Sequence, residues 1–318
     1  MKNDALWSHS RHFLNLRPVY ALGEWILDSM PLWIGYLTTW FVTSAAYALS
    51  PWLQTALKGN LRQALSHSRP GLSPKELDRS TRAMAYRTFV NRGYWFLDLS
   101  IMSGRRRFDD CFSFEMEGNW EALTRARAGG RGALIVSAHL GNWFGGGIAV
   151  ARHGIPVRTV MYRNHAGDFM DQKVARRGNL HQTFVDEDPF SMMEVIRALR
   201  QGEVVAMLGD KPWDARSAEV PFFGRPTKFP LGTVKIARLA QVPIFPAFCI
   251  YDRPRRFHAV LCDPIEVAGG DPDRAELDAL ARLAGVMEKY IAANLPIWFN
   301  FTPVWEEPVA SSSRDSAS

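Results

Sequence analysis

The sequence predicts an α/β fold with a mostly parallel central sheet flanked by helices, and with a hydrophobic, membrane-associated helix near the N-terminus. From about residue 112 onward, short apolar runs typical of strands alternate with amphipathic stretches typical of helices. The composition, 47% hydrophobic and 22% charged over 318 residues, is that of an ordered globular protein with one large core or two modest ones. An uncharged stretch before residue 58 sets the N-terminal region apart.

This N-terminal segment is expected to form a membrane-anchor helix over about residues 30–53. No charged residue occurs from Ser29 to Leu57, and the apolar stretch from 32 to 49 is near the shortest length that crosses a bilayer. Tryptophans near its ends suit the boundary between lipid and water. Two interpretations stay open, a helix inserted in or lying on a membrane and a buried helix of a soluble protein.

A second helix is predicted to begin at Pro74. The run Ser73-Pro74-Lys75-Glu76 combines an N-cap serine, a proline at the first helical position and a glutamate at the third. A polar run, GRRRFDD at 104–110, then marks a boundary. The chain is therefore predicted to consist of an N-terminal helical region (1–103), an α/β domain (104–306) and a disordered tail (307–318).

The predicted sheet is built from six apolar runs. These lie at 112–116, 132–138, 157–162, 203–208, 243–250 and 257–262. Intervening helices are predicted at 145–153, 168–177, 191–201 and 231–240, and a late surface helix at 273–293. Such alternation is typical of a sheet covered on both faces.

Charge and aromatic content indicate the kind of partner. The 38 Lys and Arg against 32 Asp and Glu give a net charge of +6, which favours phospholipid headgroups, nucleic acid or an acidic carrier protein. Eleven Trp and 19 Phe favour a membrane among these. No nucleic-acid partner is expected, because the basic residues are dispersed and no reading motif is present. Three widely spaced cysteines indicate neither a disulfide framework nor a zinc site.

The stretch VSAHLGNWFGGG (136–147) is the first candidate site. His139 ends the most apolar run of the chain, and a glycine-rich turn follows it. Functional groups of an open α/β sheet collect where strands end and helices begin, and small residues there let a substrate approach the backbone. The alternative is a structural histidine at the end of a strand.

Other familiar site types are absent from the sequence. It contains no nucleotide-binding P-loop, no G-x-S-x-G elbow and no pair of histidines at helical spacing. These absences argue against a nucleotide P-loop, a serine hydrolase and a metal site. The remaining chemistry is a lone histidine acting as general base, which takes a proton from a hydroxyl or amine acceptor while that acceptor attacks a bound acyl thioester.

Further candidate residues surround this chemistry. Asp210 and Lys211 follow a predicted strand and so fall on the functional edge of the sheet. The arginines are candidates for binding phosphate or the acyl donor, with ion pairing or simple solvation as the alternative. They are Arg163 after a strand, Arg177 on a helix and Arg225 on a loop. Trp143 and Phe144 are candidates to line an apolar groove for the acyl chain, with ordinary core packing as the alternative.

From about residue 30 to 306 the chain resembles the bacterial lipid A biosynthesis late acyltransferases, the lauroyl and myristoyl transferases of the lysophospholipid acyltransferase superfamily. The landmarks are MEGNWEAL at 116, SAHLGNW at 137, VMYRN at 160, VARRGN at 174, RQGEVVAMLGDKP at 200, the run VPFFGRPTKFPLGTVKIARLAQVPIFPAF at 220 and WFNFTPVW at 298. No single landmark is specific. Their order and spacing together carry the resemblance.

The resemblance implies a protein at the cytoplasmic face of the inner membrane that transfers an acyl chain from acyl carrier protein or coenzyme A to a lipid acceptor. It also implies His139 as the base, no metal and no prosthetic cofactor, and an acid separated from the histidine by four residues. At that place this chain has Phe144. Three alternatives follow. Asp210 or Asn142 holds the ring instead; the enzyme works slowly without an acid; or the protein is an inactive homologue that serves as a lipid-binding or assembly partner.

Overall fold

The computed structural model describes residues 29–104, 108–161, 168–185, 190–212 and 216–305. The tail predicted at 307–318 lies outside these residues. The helices are α1 (Leu32–Leu49), α2 (Pro51–Ser68), α3 (Pro74–Ser103), α4 (Phe108–Cys111), α5 (Trp120–Ala128), α6 (Trp143–Arg152), α7 (Asp168–Arg177), α8 (Ser191–Arg200), α9 (Gly232–Ala240) and α10 (Pro272–Ala293), followed by a 3₁₀ turn at Leu295–Ile297. The strands are β1 (Ser113–Gly118), β2 (Ala133–Ser137), β3 (Val157–Met161), β4 (Leu180–Phe184), β5 (Val204–Leu208), β6 (Ser217–Phe222), β7 (Arg225–Pro230), β8 (Ile244–Arg253) and β9 (Arg256–Leu261).

Seven strands form one sheet in the order β1-β9-β8-β2-β5-β3-β4. The paired strands are parallel except for β8 and β9, which are antiparallel and joined by a tight turn. Helix α6 packs against β3, β4 and β8, while α8 packs against β5 and α10 against β8. The predicted α/β architecture, a mostly parallel sheet flanked by helices, is therefore confirmed.

Three strands were not predicted from the sequence. Strand β4 reads LHQTF, and only Leu180 and Thr183 in it are buried, because it lies at an edge of the sheet. Strands β6 and β7 form a separate antiparallel hairpin in which Pro221 faces Pro226. Proline is depleted in strands and is found mainly in edge strands. The prolines therefore hide the strand pattern of this stretch in the sequence.

The helix predicted to begin at Pro74 is α3, and its capping box is formed. The Ser73 Oγ accepts from the backbone N–H of Glu76, and the Glu76 carboxylate accepts from the backbone N–H of Ser73 at 2.9 Å. The helix runs for 30 residues, and most of its buried residues lie in its second half. The division of the chain at residue 104 stays a prediction.

The predicted anchor over residues 30–53 is not one helix. Its first helix, α1, ends at Leu49, and a second helix begins at Pro51, where the proline ring forbids continuation of the first. Within the residues that the structure describes, no helix combines the length and the apolarity needed to cross a bilayer. The physical reason is that α1 has 18 residues, about 27 Å, and that four Thr and Ser side chains dilute its apolar surface.

Helix α1 crosses α3 closely at Gly93. A Cβ atom at this position would lie 2.2 Å from the Thr43 Cγ2, so only glycine lets the two backbones approach this far. The contact is reinforced by polar links. The Tyr36 hydroxyl donates to the Asp98 carboxylate at 2.5 Å, and the Ser44 and Tyr86 hydroxyls lie 2.8 Å apart.

The chain reverses direction across the sheet between β2 and β5. After β2 it crosses through α6 to β3 on one side, whereas after β5 it leads through the hairpin and α9 to β8 on the other side. Divergent connections of this kind leave a crevice at the carboxyl ends of the two strands, where open α/β sheets bind their ligands. The fold therefore places a site beyond Ser137 and Leu208.

Candidate active site

His139 and Asp210 are in direct contact in this crevice. The His139 Nδ1 lies 2.6 Å from the Asp210 Oδ1, and the His139 backbone N–H donates to the Asp210 Oδ2 at 3.0 Å. The aspartate side chain is 2% exposed and the histidine side chain 16%. One carboxylate thus holds both the imidazole ring and the loop backbone that carries it.

Strand register brings the two residues together. Strands β2 and β5 are parallel neighbours with Ser137 opposite Leu208, so two further residues on each strand bring positions 139 and 210 opposite one another. The Gly209 N–H donates to the Ser137 carbonyl at 2.8 Å and extends the pairing into the loops. The contact follows from the parallel sheet even though 71 residues separate the partners.

The position of the proton on the ring follows from this contact. An ionised carboxylate only accepts hydrogen bonds, so Nδ1 carries the proton and Nε2 keeps its lone pair. The ring also packs edge-to-face on Trp143, with 5.3 Å between centroids. Held by Asp210 and by Trp143, the ring presents a fixed Nε2 that is able to accept a proton.

Burial and neighbouring charges set the protonation states. Burial lowers the pKa of His139, and the charge of Asp210 raises it. The positive charges of Lys211 and Arg92 lower it further. Burial also disfavours the charged form of Asp210, but the His139 ring, its backbone N–H and Lys211 together hold the pKa of this carboxyl below its usual value. At neutral pH the pair is therefore a neutral imidazole beside an ionised carboxylate, as a general base requires.

The loop after β2 is fixed by backbone contacts. Gly141 has a φ of +64°, and a Cβ there would lie 2.0 Å from the Cys249 carbonyl oxygen on β8, so the position requires glycine. The Phe299 N–H donates to the His139 carbonyl at 2.7 Å, and the Gly141 N–H donates to the Ile297 carbonyl at 3.0 Å. The loop is thereby held between β8 on one side and the 3₁₀ turn with the residues after it on the other.

Asn142 and Phe144 make contacts other than the one that Asp210 makes with the His139 ring. The Asn142 Oδ1 accepts from the Gly145 N–H at 2.9 Å and caps α6, so its oxygen is committed to the helix. Phe144 is 6% exposed and belongs to the core, with its ring centroid 6.3 Å from that of Trp95. Of the two residues predicted to hold the ring, Asp210 is the one that the structure places on His139.

A cation in an aromatic box lies near the pair, and it was not among the residues predicted from the sequence. The Arg92 guanidinium carbon lies 3.9 Å from the Trp95 ring centroid, 4.5 Å from Phe96, 5.5 Å from Phe299 and 5.7 Å from Trp143. We call these four rings the aromatic box. Arg92, Trp95 and Phe96 share a face of α3 at helical spacing. Their contact with Trp143 and Phe299 depends on how α3 packs against the 3₁₀ turn and the neighbouring helices.

The remaining candidates are spread more widely. Lys211 follows Asp210, and burial lowers its pKa. Arg225 begins β7 in the separate hairpin and not in the sheet that carries His139. Arg163 lies outside the described residues. Arg177 is the last residue of α7, and its side chain is not among those described.

Two further features of the described residues lie away from the crevice. Glu115, Glu117 and His258 lie on the adjacent strands β1 and β9, and their ligand atoms fall within 4.8 Å of one another. These groups are already engaged, since His258 lies 2.7 Å from Glu117, and Arg256 pairs with Glu115. A cavity of about 330 Å³ opens at the amino ends of β3, β4 and β5, the opposite edge from His139. Neither feature adjoins the crevice.

Fold and site together define a class of protein, an α/β protein with a histidine–carboxylate pair at the switch point of a mainly parallel sheet. Within this class, the chain belongs to the family of bacterial lipid A biosynthesis acyltransferases, whose model matches residues 78–307.

Curated relatives are similar at low identity. The chain is 26% identical over 204 residues to a phosphatidylinositol mannoside acyltransferase of Mycobacterium tuberculosis (strain ATCC 25618 / H37Rv), a match that spans 62% of each chain. It is 24% identical over 240 residues to the phosphatidylinositol mannoside acyltransferase of Mycolicibacterium smegmatis, covering 73% of this chain and 74% of that relative.

Proposed function

We propose that the protein is a membrane-associated acyltransferase that moves a fatty acyl chain from an acyl thioester to a hydroxyl or amine of a lipid or glycolipid acceptor. The donor is acyl carrier protein or coenzyme A. The observation that carries the proposal is the 2.6 Å contact between the His139 Nδ1 and Asp210, which leaves Nε2 as a base in the switch-point crevice. Family membership and the relatives' names support the reaction class.

The proposed reaction replaces the carbon–sulfur bond of the thioester with a bond to the acceptor and moves one proton. The His139 Nε2 takes the proton of the acceptor hydroxyl or amine as the acceptor atom attacks the thioester carbonyl carbon. The carbon–sulfur bond then breaks, and the thiolate leaves with the proton that the imidazolium returns. Asp210 accepts from Nδ1–H throughout, which orients the ring and stabilises its charged form. Asp210 thus takes the role for which Phe144 has no acceptor atom.

The apolar site residues have a role in this reaction as well. Trp143 is partly buried beside His139, and Phe144 lies one residue further along the chain. We assign Trp143 to the wall along which the acyl chain enters and Phe144 to the core that supports this wall. Lys211, Arg163, Arg177 and Arg225 are assigned to the anionic groups of the donor or acceptor.

We further propose that the protein works at the cytoplasmic face of the inner membrane. Helix α1 exposes the large apolar side chains Trp33, Leu37, Trp40 and Phe41, 39% to 66% accessible, and the net charge is +6. Exposed aromatic residues together with positive charge suit the interface of an anionic bilayer. Binding of the purified chain to phospholipid vesicles measures the membrane association in this proposal.

The catalytic proposal is tested by transfer of a labelled acyl chain to a lipid acceptor by the purified full-length chain, with acyl carrier protein and coenzyme A thioesters assayed separately. His139→Ala is expected to lower the rate at least about 100-fold, the scale of a general base. His181→Ala, an exposed histidine on β4, is the matched control and should keep the wild-type rate. Undiminished transfer by His139→Ala would exclude His139 as the base.

The competing function, an inactive lipid-binding or assembly partner, is favoured by Phe144 at the position where the family has its acid. Lipid analysis of cells separates the two functions. If the protein is an enzyme, the His139→Ala strain should show the same lipid changes as a deletion strain. If the protein is a non-catalytic partner, the His139→Ala strain should keep the wild-type lipid profile, whereas the deletion strain should not.

A further inference from the structure

The aromatic box connects Arg92 to the base by two routes. Along the first, the Trp95 ring, over which Arg92 lies, is 4.7 Å from the Trp143 ring, and the Trp143 ring is 5.3 Å from the His139 ring. Along the second, Phe299 is a wall of the box, and its backbone N–H donates to the His139 carbonyl. The side chain and the main chain of His139 therefore both rest on residues that pack around one guanidinium.

The backbone next to Arg92 is held in place by helix α1. Its neighbour Gly93 is the point where α1 crosses α3, so the helix backbone at this place is held against a second helix. A planar guanidinium stacks on aromatic faces, whereas an ammonium is a compact charge without a face to stack. The geometry of the box thus suits arginine and not lysine.

Arg92 also contributes charge at the site. The groups whose charges act on His139 are Asp210 at the end of β5, Lys211 next to it and Arg92 from α3. The aspartate favours the imidazolium, and the two cations oppose it. Removal of either cation therefore makes the imidazole more basic.

We propose that Arg92 is a positioning residue of the acyl-transfer site, which holds Trp143 and Phe299 against His139 through the aromatic box and places a positive charge beside the imidazole. The part that concerns turnover rests on the proposed function. The part that concerns His139 itself does not.

The test compares Arg92→Gln, which removes the charge, with Arg92→Lys, which keeps the charge but loses the planar stack. Arg87→Gln is the matched control, since Arg87 is exposed on the same helix. The His139 ring is titrated by NMR in the full-length chain, with its signal assigned by its loss in His139→Gln. The pH profile of kcat is measured on the same proteins.

Arg92→Gln is expected to raise the pKa of His139 and to move the acid limb of kcat to higher pH. Arg92→Lys is expected to keep that pKa near wild type and to lower kcat by about tenfold. The control should change neither. If Arg92→Gln leaves the His139 titration unchanged, or if Arg92→Lys keeps the wild-type kcat, the proposal is overturned.

Two further outcomes are informative. If Arg92→Gln does not fold, the proposal is tested with Arg92→Lys alone. The two measurements are then kcat and the ring-current shift of the His139 signal, which changes when Trp143 moves. If the chain transfers no acyl group from any thioester but Arg92→Gln still shifts the His139 titration, the proposed function fails and the positioning role of Arg92 stands.

Discussion

At the scale of single residues, the site depends on a carboxylate that comes from a different strand than the histidine. Position 144 falls in the first turn of α6, and its side chain points into the core beside Trp95. Position 210 falls opposite His139 because β2 and β5 pair in register. A phenyl ring at 144 is therefore compatible with an oriented imidazole, since the orienting group arrives through the sheet.

Asp210→Asn tests this arrangement through the pH dependence of the rate. The charge of Asp210 raises the pKa of His139 against the effect of burial, so its removal lowers that pKa further. The acid limb of kcat/KM should then move to lower pH while the rate falls at least about 100-fold. Asp210→Glu keeps a carboxylate and should retain more activity than Asp210→Asn. A wild-type pH profile in Asp210→Asn would contradict the pairing.

At the scale of elements, α1 has two different faces. One face packs on α3 through Gly93, the Tyr36–Asp98 bond and the pair Ser44–Tyr86. The opposite face leaves large apolar side chains in solvent, which is unfavourable for an isolated domain and favourable at a lipid interface. The apolar residues that suggested a membrane helix in the sequence thus form a surface beside α3, the helix that carries Arg92.

Substitution on this face should weaken vesicle binding. Trp33 and Phe41 are 66% and 59% exposed, and the burial of one such side chain contributes about 1.5–3 kcal/mol. The double variant Trp33→Ser, Phe41→Ser is expected to lower partitioning onto anionic vesicles at least about tenfold, measured by co-sedimentation. Phe190→Ser is the control, because Phe190 is 73% exposed at the start of α8. Equal losses in both variants would exclude a specific role for α1.

At the scale of the whole molecule, Asp98 joins three parts of the fold. It lies on α3, accepts from Tyr36 on α1 and is near Arg255 in the turn between β8 and β9. Tyr251 and Cys249 on β8 are close enough for Asp98 to raise the pKa of each, after the larger effect of burial. The N-terminal helices are therefore attached to the sheet around one buried carboxyl.

The stability of this junction should depend on pH. Burial raises the pKa of Asp98 to about 7, while the Tyr36 hydrogen bond and Arg255 oppose the rise. Because the folded-state pKa is raised, the folded protein binds the Asp98 proton more tightly than the unfolded chain does. The contribution of this proton to folding stability is complete below the unfolded pKa of about 3.9 and is lost as the pH rises through about 7. The melting temperature of Asp98→Asn minus that of wild type should increase between pH 5.5 and pH 8.5, on the order of a few degrees in total. Asp278→Asn, exposed on α10, should show a flat difference; the same flat difference in Asp98→Asn would contradict the raised pKa.

The sequence by itself determined the α/β class, the positions of most strands and helices, the capping box of α3 and the candidates His139, Asp210 and Lys211. It could do so because apolar periodicity, caps and strand ends are local properties. The edge strand β4 and the hairpin of β6 and β7 escaped because their residues are polar or proline-rich and are held by neighbours in space.

Only the tertiary structure decided which of the candidates meet. The register of two parallel strands selected Asp210 over Asn142 as the partner of His139, and the packing of α3 against the 3₁₀ turn and neighbouring helices brought Arg92 to Trp143 and Phe299. The break at Pro51 turned a predicted anchor into two helices. The physical reason is the same in each case, since a contact between distant residues depends on how elements pack, and packing is a property of the assembled core and not of any local stretch.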